Sequence, residues 1–203
     1  EMCIRDRINV ISGDLEEIYK DLHSHPELGF EEERTSKIVQ EKLKAYGVDE
    51  VHTDIGKTGV VGIIRGNNGG GNRRVGLRAD MDALPIQEDT GLSYASKIDG
   101  KMHACGHDAH TTMLLGAAKY LARTRNFSGT AILIFQPAEE GQGGATKMLD
   151  DGLFQKFPCD EIYGIHNDPN GKNGEIGICK GKLWPARPYL ILILKGKVVT
   201  LQC

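Results

Sequence analysis

No apolar run in these 203 residues approaches the roughly 20 that a membrane-spanning helix needs; the longest, Tyr189 to Leu194, is strand-sized. A membrane is therefore not an expected partner. Nor is there a stripe of Lys and Arg to neutralise a phosphate backbone: 25 basic residues against 28 acidic ones leave a net charge of −3, which argues against nucleic acid. The five cysteines (Cys3, Cys105, Cys159, Cys179, Cys203) are odd in number and far apart, so no disulfide framework is indicated. The stretch EMCIRDRINV lacks the apolar core of a secretory signal, and the expectation is a reducing, cytoplasmic compartment. Internal repeats are absent, and GNNGGGN is the one low-complexity patch. Several site signatures also fail. Gly56-Lys57-Thr58 imitates a phosphate-binding loop, but Val51 stands where its first glycine is needed. The glycines at 66, 69, 70 and 71 miss the dinucleotide fingerprint, and neither Gly-x-Ser-x-Gly nor His-Glu-x-x-His occurs. What remains, 39% hydrophobic and 26% charged, excludes a wholly disordered chain and suits one globular domain.

Apolar residues at Ile8, Ile11, Leu15, Ile18 and Leu22 predict a helix that ends before His25-Pro26. A second runs from about Glu31 through Ile38, Val39, Leu43 and Tyr46, with Gly47 placed for a left-handed cap. Thr58 to Arg65 and Arg74 to Ala79 are β-favouring runs on either side of GNNGGGN, and antiparallel pairing between them is expected. From Asp108 to Ala122 the pattern is helical, with Met113, Leu114, Ala117, Ala118 and Leu121 as its buried side. Thr130 to Gln136 and Glu161 to His166 read as strands covered on both faces, joined by a short helix at about Gly144 to Asp150. Strand, helix, strand with short links predicts a layered α/β sheet with parallel members, whose sites lie past the carboxyl ends of strands.

Three such ends carry chemistry: Asp80-Met81-Asp82, Pro137-Ala138-Glu139-Glu140-Gly141 and His166-Asn167-Asp168. The densest cluster, His103-Ala104-Cys105-Gly106-His107-Asp108-Ala109-His110, puts three imidazoles and a thiol within eight residues. Both are ligands for divalent ions, and the glycine lets Cys105 and His107 turn toward one point. Adjacent Glu139 and Glu140 could divide labour, one holding metal and the other moving a proton. Asp80 and Asp82 alternate, so one could orient a histidine ligand from behind. Each group taken alone also fits a plain role as loop, cap or solvated face. His23-Ser24-His25 resembles a metal pair but reads as a cap or surface feature at a helix end.

In order along the chain, DLHSHPELGFEE, TGVVGIIRG, GLRADMDALPIQE, KMHACGHDAHTTMLLGAA, LIFQPAEEGQGGA and YGIHN resemble the N-terminal half of the metal-dependent N-acyl-amino-acid amidohydrolases. That family includes hippurate hydrolases and enzymes that cleave indole-acetyl amino acid conjugates. The resemblance covers about Leu15 to Lys180. It implies a zinc-peptidase-like layered α/β catalytic domain with a small inserted lid, and two divalent ions, manganese or zinc, with cobalt and nickel also compatible. By motif match Cys105 would bridge the ions, with His107, Glu140 and His166 as further ligands. Glu139 would be the general acid/base, and Asp82 would support the site from behind a ligand. The implied reaction splits an N-acyl amino acid into a carboxylic acid and a free amino acid.

The same resemblance divides the chain into residues 1–184, the catalytic part, and 185–203, the divergent start of a lid through which a homodimer would form. YLILILKGK resembles the strand that opens the lid, but Val198-Val199-Thr200 stands where the family continues into Gly-Gly-His. On this reading the chain is truncated, holds only the first lid strand, lacks a last histidine ligand and is weak or inactive as given. Two other readings stay open. One is a non-catalytic metal-binding module with a closed Cys/His site, in which Glu139 would have no purpose. The other makes Cys105 a nucleophile activated by His107.

Overall fold

The computed structural model describes residues 12–171 and 177, together with the backbone of two strands within 189–202. Helix α1 spans Ser12–Ser24 and α2 spans Glu33–Ala45, followed by strands β1 (Glu50–Ile55), β2 (Gly59–Arg65) and β3 (Arg74–Asp80). Helix α3 (His107–Thr124), strand β4 (Thr130–Gln136), helices α4 (Gly144–Asp150) and α5 (Leu153–Lys156) and strand β5 (Glu161–Gly164) complete the main body. Five strands form one sheet in the order β1-β2-β4-β3-β5, with β4, β3 and β5 parallel and β1 and β2 antiparallel.

Strand β4 explains the architecture. Its side chains alternate between faces, and both faces are apolar, so it must be interior and covered twice. On one side Leu133 and Phe135 pack with Ile18 and Leu22 of α1, Val39 and Leu43 of α2, and Leu115 and Ala118 of α3. On the other, Ile132 and Ile134 meet Met148 of α4 and Leu153 of α5. The result is the expected layered α/β fold.

Two expectations about this body are corrected. Strands β2 and β3 do not pair; β4 inserts between them, antiparallel to β2 and parallel to β3. A strand without a polar face takes the central place, and the chain from β3 to β4 returns through α3 as a parallel crossover. Met113 is exposed rather than buried, and Leu115 occupies the core in its place. The stripe of α1 is present at Leu15, Ile18 and Leu22, while Ile8 and Ile11 lie outside the described residues. Gly47 has the left-handed φ of +77° expected of a cap. Strand β1 has no sequence signature: EVHTDI is an edge strand broken by an irregularity between His52 and Ile55. The segment expected to carry one lid strand carries two, β6 (Tyr189–Leu194) and β7 (Lys197–Gln202), paired antiparallel in a separate two-stranded sheet. Among the described residues no helix is long and apolar enough to cross a membrane.

Candidate metal centre

The carboxyl ends of parallel β3, β4 and β5 and the N-terminus of α3 meet at one place, and each delivers part of the expected set. Strand β3 runs into Asp82, β4 into Glu139 and Glu140, β5 into His166, and α3 opens on His107. Between Cys105 and His107 the chain must reverse into the helix. Gly106 does so at φ +88°, and a Cβ there would lie 2.5 Å from Asn167 Oδ1, so both conformation and space demand glycine.

His107 is the hub. Its ring is fully buried, and Nδ1 lies 3.1 Å from Asp82 Oδ1. An ionised carboxylate only accepts, so Nδ1 donates to it and Nε2 is the nitrogen left to meet a cation, in place of a second proton. That Nε2 is buried and has no hydrogen-bond partner among the described residues. Around it stand Glu140 Oε1 at 3.9 Å and Asp80 Oδ2 at 3.7 Å. His166 is prepared in the same way: its Nδ1 donates to the Asn167 carbonyl at 2.8 Å, leaving Nε2 as an acceptor 3.4 Å from Cys105 Sγ. Ligand atoms of Cys105, His107 and His166 lie within 4.8 Å of one another, as do those of His107, Glu139 and Glu140. Donors about 2.0–2.3 Å from a tetrahedral ion sit about 3.3–3.8 Å apart, close to the spacings seen. The orphaned Nε2 and the mixed S, N and O donors fit a divalent cation.

Asp82 does more than orient His107. Its second oxygen accepts the Glu140 amide at 2.9 Å, so one carboxylate fixes two of the converging segments. Asp80, His107 and His110 form a third group within 4.8 Å, one that no sequence motif assigns to metal. Here the geometry argues for structure: His110 Nδ1 faces Asp80 Oδ1 at 2.6 Å, and its Nε2 already accepts the Asn167 amide at 3.1 Å. Arg78 completes Asp80, donating from Nη1 at 2.5 Å.

The pocket is electrostatically short of positive charge. Burial disfavours a His107 imidazolium, yet Asp80, Asp82 and Cys105 outweigh it and push the ring up to about 12. Burial raises the Glu139 carboxyl, and Asp80 adds to this, against Arg78 and His107. Burial also raises the Cys105 thiol, partly offset by His107. A nucleophilic cysteine needs the opposite shift, so the thiol reading loses support.

His23 departs from its expected role as a cap or surface residue. It is buried, with Nδ1 2.6 Å from Asp108 Oδ2 and Nε2 3.2 Å from Glu88 Oε1, and Tyr19 and Tyr94 pack on its ring. The missed signal was the aspartate that follows His107. The Asp108 bond, helped by Glu88, raises the His23 pKa against desolvation. Neighbouring His103 is held neutral, burial lowering it to about 4. A raised folded-state pKa gives stability that is complete below the unfolded value of about 6.5 and is lost as pH rises through the folded value. Denaturant midpoints should therefore fall over that rise, and His23→Gln should remove this component of the slope. Parallel curves for the two proteins would refute the assignment.

Comparison with known proteins gives a consistent picture. The family model "Peptidase family M20/M25/M40" matches residues 76–200. A hippurate hydrolase of Campylobacter jejuni is 53% identical over 173 residues, 85% of this chain and 44% of that protein. An IAA-amino acid hydrolase of Arabidopsis thaliana is 50% identical over 150 residues, 73% of this chain and 33% of that protein. Among solved structures, a Bacillus subtilis dinuclear metal binding peptidase from the M20 family superposes with a TM-score of 0.80 at 42% identity, covering 86% of this chain and 48% of that one. The chain thus spans less than half the length of these relatives.

Proposed function

The chain belongs to peptidase family M20/M25/M40, and from that premise we propose that it serves metal-dependent hydrolysis of the amide bond of N-acyl amino acids, releasing a carboxylic acid and a free amino acid. The carrying observation is the buried, unpaired Nε2 of His107, aimed among Cys105, Glu140 and His166. These four side chains would hold two divalent ions, manganese or zinc. When bound, such ions polarise the substrate carbonyl and acidify a water molecule.

The remaining work falls to the chain itself. Glu139, half-buried beside the ligand group, takes a proton from the attacking water and delivers it to the departing amine. Its burial-raised pKa suits it to hold that proton between the two events. Asp82 keeps His107 in the tautomer that faces the ions and pins the Glu140 loop. We assign residues 1–184 to the catalytic part and 185–203 to the start of a lid that carries a homodimer contact, in a cytoplasmic protein. A closed structural site is the second reading, and Glu139 speaks against it.

The test is hydrolysis of hippurate and related N-acyl amino acids. Activity that vanishes with a chelator and returns with manganese or zinc supports the reading. A rate indifferent to the chelator contradicts it.

A further inference from the structure

We propose that Glu32, remote in sequence from every candidate ligand, is a positioning residue whose buried carboxylate holds the turn that aims Glu139 and Glu140. Glu32 is 0% exposed, and its carboxylate meets hydrogen-bond donors rather than a cation among the described residues. One oxygen accepts the Ala138 amide at 2.8 Å, and the other accepts the Thr58 hydroxyl at 2.6 Å. Burying a carboxyl without a countercharge is costly, and burial accordingly raises its pKa. What the contact secures is the residue immediately before Glu139.

That residue is strained. Ala138 takes φ +50°, a left-handed conformation that a residue with a Cβ adopts reluctantly, and it is fully buried. The turn must be held from outside, and the segment 27–32 does so. Gly29 lies so close that a Cβ on it would sit 3.0 Å from the Ala138 Cα. The same segment also grips the other loop of the site: the Glu27 carbonyl accepts the Ala83 amide at 2.8 Å, and Leu28 bridges to Ala83, next to Asp82. The Glu27 carboxylate in turn accepts the Arg34 and Thr35 amides at the start of α2, which anchors the segment. One short stretch, carrying no ligand, thereby sets the Asp82 loop and the Glu139–Glu140 loop in register.

The contact stands on geometry alone; its consequence at the ion rests on the function proposed above. The test is cobalt affinity, read by competition with a chelating dye, on the whole chain. Glu32→Ala is expected to weaken binding about tenfold or more, as loss of an outer partner does elsewhere. Glu32→Gln keeps an acceptor for Ala138 and should stay within about threefold of the unsubstituted chain. Leu43→Ala, in the core away from the site, should lower stability but leave the affinity of the folded fraction unchanged. If Glu32→Ala does not fold, Glu32→Asp, one methylene too short to reach both donors, carries the same expectation. Unchanged affinity in the Ala or Asp variant would overturn the proposal. Should the unsubstituted chain bind no cobalt, the metal reading fails instead. The Glu32 contact is then decided by hydrogen exchange of the Ala138 amide in metal-free protein. Faster exchange in the Ala variant upholds the contact, and equal exchange overturns it.

Discussion

Replacing Glu139 with glutamine is expected to lower kcat for N-acyl amino acid hydrolysis by about 10²–10⁴-fold, the range for loss of a positioned general acid/base. Glutamine keeps the shape and polarity of the side chain but cannot take up and release a proton at working pH. The proposed ligand atoms of Cys105, His107, Glu140 and His166 are untouched, so ion content should stay the same. KM should move little, since the lost interaction belongs to the transition state. The contrast matters because the two adjacent glutamates leave β4 together yet sit differently: Glu140 has its amide tied to Asp82, while Glu139 is raised by burial and by Asp80. Equal rates for Glu139→Gln and the unsubstituted chain would remove Glu139 from the reaction.

Cys105→Ser should have the second large effect, this time on the ions themselves. A serine hydroxyl is not ionised near neutral pH and does not replace a thiolate between two cations. Loss of an outer partner weakens metal affinity about 10–100-fold, and loss of a direct ligand should exceed about 100-fold. At an ion concentration about 100 times the dissociation constant, the unsubstituted chain gains about 2.7 kcal/mol of stability from binding. A variant bound about 100-fold more weakly gains only about 0.4 kcal/mol under the same conditions. Thermal melts with and without zinc therefore separate the two proteins. A serine variant stabilised by zinc as strongly as its parent would contradict the assignment of Cys105.

Much of this was legible in the chain because its strongest signals are local. TAILIFQ is apolar on both faces and had to be a central strand; GATKMLD became α4 with the bounds expected. The density of HACGHDAH raised ligand chemistry, which the strand-end acids and His166 then supported, and Gly106 marked the turn that lets Cys105 and His107 face one point. What stayed hidden was set by partners distant in sequence. Nothing in TGVVGIIR or RVGLRA says that β4, 65 residues beyond β2 at the Arg65↔Thr130 pair, will separate them. EVHTDI pairs along one side only and carries mostly polar residues, so it shows no strand pattern. His23 looked like a helix end until Asp108 and Glu88, 85 and 65 residues away, enclosed it. Glu32 looked like one more charge in GFEEER, and only its two donors, 26 and 106 residues away, reveal a buried role. Polar residues buried by long-range contacts are the ones a local pattern cannot flag.

X-ray absorption at the metal edge of the zinc-loaded chain addresses the heart of the account. A sulfur scatterer at about 2.3 Å alongside nitrogen and oxygen at about 2.0–2.2 Å is predicted, with the sulfur lost in Cys105→Ser. A shell of nitrogen and oxygen alone in the unsubstituted chain would contradict it.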